Sequence, residues 1–381
     1  MRAPLFMPAH EVLPQEKLFR QSKWQRIILL FVLGYEGAGA LVGGSLLVAA
    51  PDGSLMDMPV AIMHGSFSDF LIPGILLFAL GILNTAAFFA VLRKTRFDWI
   101  MAVTALLGML FWFWIEIAVL LELHWLHAMW GLPVVVGALA ALPLVPSTYK
   151  QKALLSCGIL SSVLYFAINI IVPLQWEGYS LASRVPSELS AIGAPTRKLW
   201  AILATPYTFL ILAFGWGVLK AAGENHWLRI AGKLLLAYGA LGFLWPFAPM
   251  HLRETLAAGG GTFSDTLHKI LAAVTNLIYL LALGFSAAAL GKRFRVYSIV
   301  TLALVLVFGV LTFKEVSGVA KNEPTPLIGV WERIDIGLFL IWVVVLAIVL
   351  LQEQRNKKTY EQPSNETRSV KQDKSKTPKF V

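Results

Sequence analysis

Ten stretches of this chain are almost continuously apolar, at 27–50, 67–92, 98–121, 127–145, 153–173, 199–219, 230–249, 268–290, 296–313 and 334–352, with polar residues gathered between them. A helix needs about 20 mostly apolar residues to cross the hydrocarbon core. Lipid offers no partner to an open backbone group, so each crossing must be a closed helix. The pattern therefore predicts an all-α, polytopic helical membrane protein with about ten transmembrane helices. The first run is too long for a cleaved leader and lacks a small-residue cleavage site, so it is read as a retained span. A short polar stretch at 146–152 divides the runs into four and six. The expected organisation is an N-terminal segment 1–26, a four-helix unit 27–145, a linker 146–152, a six-helix unit 153–352 and a tail 353–381.

Composition sharpens this picture. Only 14% of residues are charged and 57% are hydrophobic, against about 25% charged in soluble domains. An ordinary soluble enzyme is excluded. The net charge of +10 would suggest nucleic acid if it were concentrated on one folded domain, but the basic residues sit in short loops and the tail. A lipid bilayer is the expected partner, and nucleic acid is not. Under the rule that basic flanks resist translocation, the N-terminus, the tail and alternate loops carry 24 Lys and Arg, and the opposite set carries 8. Both termini, the 1–26 segment and the 146–152 linker are thus expected in the cytoplasm. The tail from Gln354 to Val381 is polar and basic, a composition expected to stay disordered and to touch anionic lipid. Cys157 is the only cysteine, so no disulfide or cysteine metal cluster forms within one chain.

Two groups of residues carry resemblances. Gly34-Tyr35-Glu36-Gly37-Ala38-Gly39-Ala40-Leu41-Val42-Gly43-Gly44, Met58-Pro59 and Phe70-Leu71-Ile72-Pro73-Gly74 resemble small uncharacterised bacterial membrane proteins of four helices. Tyr179-Ser180, Ser187-Glu188-Leu189-Ser190-Ala191-Ile192-Gly193-Ala194-Pro195-Thr196-Arg197 and Asp265-Thr266-Leu267-His268 resemble the domain of unknown function 998 family over roughly 153–352. The second resemblance implies a six-helix bundle similar to Frag1-type membrane proteins. It implies no activity, and a bacterial plasma membrane is the location the two resemblances suggest.

Candidate chemistry lies at three places. His251 and Glu254, then Asp265 and His268, are spaced at three, so each pair shares one face of a helical turn. His251, Asp265 and His268 could hold a divalent metal such as zinc or manganese, with Glu254 or Glu188 as general base. The bland alternative has Asp265 capping the eighth helix and His268 at headgroup level, and it is the commoner outcome. The loop before it offers Tyr179, Arg184, Glu188 and Arg197, which either pair among themselves or clamp a phosphate or carboxylate. Structural pairing is the commoner of the two. Within the four-helix unit, Glu36 and Glu116 are intramembrane acids, with Asp69 nearer the interface. Such acids mark proton or ion sites by default, with hydrogen-bonded burial against Tyr35 or Asn84 an equal alternative. Gly39 and Gly43, four apart, predict close helix packing.

Three functional readings follow. The first is a membrane protein that binds a lipid headgroup or small amphiphile in an outer-face vestibule. The second is a metal-dependent lipid hydrolase embedded in the membrane. The third is a proton- or ion-coupled transporter using Glu36 and Glu116.

Overall fold

The computed structural model describes residues 22–374, with side chains through Asn356. Among these residues the regular structure is helical, with no strand and one isolated bridge between Ile192 and His251. Among the described residues, ten helices are long and apolar enough to cross a membrane. The chain divides into two compact units, 1–147 and 148–381, and each is described separately.

The first unit holds α1 (Lys23–Ala49), α2 (Leu71–Leu92), α3 (Asp98–Leu120) and α4 (Trp125–Ala141). Ser22 caps α1 through a reciprocal bond with Gln25, which satisfies two otherwise orphaned backbone donors. α1 packs on α2 and α4, α2 on α3, and α3 on α4, closing a four-helix bundle. Its core is Leu29, Leu33, Ala87, Leu106, Met109 and Val134, all at most 2% exposed. The α1–α2 seam is set by glycine. A Cβ added to Gly44 would lie 2.5 Å from the Phe78 nitrogen, and one on Gly81 2.6 Å from the Leu41 nitrogen. Gly37 faces the Thr85 backbone and Gly74 the Leu47–Val48 backbone. The touching glycines are thus seven apart on each helix, the repeat of a left-handed pair. This corrects the expected Gly39–Gly43 pairing: Gly39 makes room for the Trp130 ring and Gly43 meets only the tip of Leu77.

The second unit holds α5 (Ser147–Ile171), α6 (Arg197–Ala221), α7 (His226–Leu241), the short α8 (Arg253–Ala257), α9 (Phe263–Ala289), α10 (Lys292–Lys321) and α11 (Ile328–Lys374). Contacts run α6–α7–α9–α10–α11, and α11 returns to α6. α5 joins through Gly217 against Leu154 and through Ser162 Oγ donating to the Leu340 carbonyl at 3.0 Å. Phe214, Leu235, Leu283, Phe339, Trp342 and Leu346 form the core, each no more than 2% exposed.

Three expectations shift. Residues 147–152 of the expected linker are the first turns of α5, because Lys and Gln are good helix formers. α10 continues well past 313 to Lys321, leaving a short turn at Asn322 (φ 55°), where Asn tolerates the left-handed region. α11 runs on to Lys374, so the expected tail begins as a continuation of that helix. Residues 1–21 and 375–381, the bulk of the expected N-terminal segment and the end of the tail, lie outside the described residues.

Candidate functional site

At one end of the six-helix unit, the loop 172–196, the segment around α8 and the turn before α11 come together. Glu188 stands at their centre and is fully buried. Its Oε2 accepts from Arg184 Nη1 at 3.0 Å and from Arg253 Nε at 3.1 Å; its Oε1 accepts from Arg253 Nη2 at 2.5 Å and from the Val185 amide at 3.2 Å. Four donors fill one carboxylate, the arrangement a buried charge requires. Arg253 also reaches Thr325 Oγ1 at 3.1 Å and the Ser183 carbonyl at 3.0 Å, so each of its three side-chain nitrogens is engaged. The second arm of Arg184 meets Glu254 Oε1 at 2.9 Å, and its guanidinium stacks over Trp176. Burial pushes the Glu254 carboxyl up, but its backbone bond and Arg184 outweigh that and hold it below the usual carboxylate range.

Arg333, in the first turns of α11, ties the network inward. It donates to the Leu181, Arg184 and Gly329 carbonyls at 2.8–3.0 Å and to the Tyr179 hydroxyl at 2.8 Å. Tyr179 in turn donates toward the Val185 carbonyl at 2.9 Å. Burial, partly offset by Arg333, raises the Tyr179 phenol to about 12.

Beside Arg333, α11 presents Glu332 and Asp335, which share one face three residues apart. Tyr279 of α9 donates to Asp335 Oδ2 at 2.6 Å. Asp335 is 6% exposed, and its Oδ1 has no partner. Aromatic rings continue from there. Tyr279 and Tyr238 both pack on Phe339, with centroids 4.9 and 5.0 Å away. Tyr238 and Tyr207 share a hydroxyl–hydroxyl bond of 2.9 Å, and Tyr207 packs on Tyr165 at 4.9 Å. Asn169 Oδ1 and Thr275 Oγ1 are further buried atoms without a partner. The counted charges are Glu188, Glu254, Glu332 and Asp335 against Arg184, Arg253 and Arg333. Arg184 and Arg253 pair with Glu188 and Glu254, whereas among the described residues no ion pair reaches Glu332 or Asp335.

The metal candidates are only partly brought together. His251 Nδ1 lies 2.8 Å from Asp265 Oδ2, and Asp265 also accepts from the His251 and Thr262 amides at 2.7 and 2.8 Å. Asp265 is thereby the capping-box partner of Thr262 at the start of α9. His268 Nδ1 instead faces the Ala248 carbonyl at 2.8 Å. Among the described residues, no three His, Cys, Asp or Glu side chains gather as a metal-holding group. Glu254 is engaged with Arg184 and Glu188 is filled, so neither is placed as a free base. Arg197 is exposed in the first turn of α6, and no ion pair joins it to the network among the described contacts.

In the four-helix unit, Glu36 is fully buried and neither carboxyl oxygen has a partner. Tyr35 stacks on Trp130 at 4.5 Å instead of turning to it. Glu116 lies 3.9 Å from His127 Nε2. Asp69 accepts from the Leu71 amide at 2.9 Å at the start of α2.

Sequence reasoning missed Arg253, Thr325, Arg333, Tyr279 and Asp335. The signal was present in Glu332-Arg333-Ile334-Asp335, three ionisable residues at the mouth of the most apolar span.

A family profile described as a protein of unknown function (DUF998) matches residues 159–349. No curated protein and no solved structure matches the chain. The matched stretch contains the whole buried network, from Tyr179 to Asp335.

Proposed function

Because the chain belongs to the DUF998 family of proteins of unknown function and is an integral, all-helical membrane protein, we propose that it binds a small amphiphile through a cationic head. The head would be held at the looped end of the six-helix unit. The observation that carries this reading is Asp335: a buried carboxylate with an unpartnered oxygen, beside Glu332 and a run of tyrosine rings. An ammonium brings a donor for Asp335 Oδ1 and a charge opposite to that of the acids on α11. Aromatic faces favour a cation by about 0.5–2 kcal/mol each when water is excluded, and acyl chains suit the apolar helices around them.

In this reading Arg184, Glu188, Arg253 and Tyr179 do not grip the ligand. They form a rigid ionic cap that holds α11 in place, and Arg197 stands free at the surface. With both termini in the cytoplasm of a bacterium, as the loop charges favour, the cap faces outward from the plasma membrane. A metal-dependent hydrolase has less support, since His268 turns away from the His251–Asp265 pair.

Thermal unfolding of the detergent-purified chain in the presence of dodecylamine, dodecyl sulfate or a neutral dodecyl glycoside tests the proposal. Dodecylamine alone should raise Tm, and Asp335→Asn should remove the rise. Equal responses to amine and sulfate would overturn it.

A further inference from the structure

The four-helix unit holds a second buried charge with no ionic partner. The glycine contacts fix the register of α1 against α2: residue 37 faces 85, 41 faces 81, 44 faces 78 and 48 faces 74. On that register Glu36 is level with Ala86, two residues from Asn84, or about 3 Å along the axis at 1.5 Å per residue. Both side chains are 0% exposed, and three of their oxygens, Glu36 Oε1, Glu36 Oε2 and Asn84 Oδ1, lack a partner. One hydrogen of the Asn84 amide goes to the Leu80 carbonyl at 2.9 Å. The pair still sets three unpartnered oxygens in the seam, two of them a carboxylate's.

A fully buried carboxylate with no ionic partner is stabilised by taking up a positive species. A metal cation such as Ca2+ or Mg2+ asks for about six oxygens, and the seam offers half of that. A proton asks for one carboxyl and one acceptor, and it leaves a hydroxyl that can donate to Asn84 Oδ1. We propose that Glu36 and Asn84 form a proton-binding site between α1 and α2.

The surrounding charges leave the site isolated. α2 has no charged residue; α3 has Asp98 at one end and Glu116 toward the other; α4 has His127; α1 itself adds Lys23, Arg26 and Tyr35. Arg26 is committed to the Val91 and Leu92 carbonyls, and Glu116 and His127 lie near each other. Counted from the Gly137–Val32–Leu106 contact, Glu116 and His127 stand about six residues beyond Glu36, or roughly 9 Å along the axis.

Infrared difference spectroscopy of the full chain in liposomes, titrated across the neutral range, reads the site directly. A protonated-carboxyl stretch that persists well above the range of exposed carboxylates is expected. Glu36→Gln should abolish it, and Glu116→Gln should leave it in place. Dicyclohexylcarbodiimide, which modifies buried protonated carboxyls, should label Glu36 at neutral pH, with labelling falling at least tenfold on moving to alkaline pH. Sodium or potassium should not protect. An ionised Glu36 throughout the titration would overturn the proposal, as would protection by either metal ion. Glu36→Gln preserves side-chain size, and an unchanged helical circular dichroism spectrum confirms that it folds.

Discussion

Glu188 shows what a single buried charge demands. Its carboxylate receives four donors from three residues, the neighbouring Arg184 and Val185 and the sequence-distant Arg253. Glu188→Gln keeps the volume but leaves Arg253, 7% exposed, without its counter-charge. Breaking one side of a buried pair costs about 3–5 kcal/mol, which chemical denaturation in detergent should detect; Glu188→Gln combined with Arg253→Met should recover part of the loss. Tyr179 adds a pH dependence. Its phenol rises from 10.0 unfolded to about 12 folded, so its contribution is complete below pH 10 and is lost as pH climbs through 12. Tyr179→Phe should flatten the decline in stability across that alkaline window, and an unchanged slope would count against the assignment. The pairing of Arg184 with acids was legible in the sequence, because both signs crowd one loop. Arg253 as the main partner was not, since only the folded loops bring residues 188 and 253 together.

Glycine decides the packing of the helices. Gly44 and Gly81 meet backbone atoms, which cannot yield, whereas Gly43 meets the tip of a leucine. Gly44→Leu and Gly81→Leu should each destabilise the four-helix unit by about 1–3 kcal/mol or more, the usual cost of overpacking, while Gly43→Ala should be nearly neutral. A denaturant series on the three variants separates them. All ten spans were readable from apolar run length, because lipid imposes one solution on such runs. The glycine register was not, since Gly37, Gly39, Gly43 and Gly44 all lie within eight residues and only the partner helix distinguishes them. Helix ends were also hard to read: α10 is carried on by charged helix formers that a hydropathy criterion stops at.

For the molecule as a whole, charge asymmetry between alternate loops predicts that Glu177 and Glu224 lie on opposite sides of the bilayer. In a Cys157→Ser background, Glu177→Cys should react with an impermeant maleimide from outside intact cells. Glu224→Cys should react only after permeabilisation, and the reverse pattern would invert the whole topology. The separate roles proposed for the two units rest on the same distinction. Each keeps one unbalanced acid in an apolar setting, Glu36 in one and Asp335 in the other, and neither acid has a conventional motif around it.

The ionic cap also orders the protein's biosynthesis. Glu188 emerges early from the ribosome, Arg253 follows some sixty residues later, and Thr325 and Arg333 arrive only with the last helix. Until then the Leu181, Ser183 and Arg184 carbonyls and the Tyr179 hydroxyl of the 176–190 segment lack the donors that Thr325 and Arg333 bring. A chain truncated before α11 should therefore leave that segment open to protease, and only insertion of the final helix should close it.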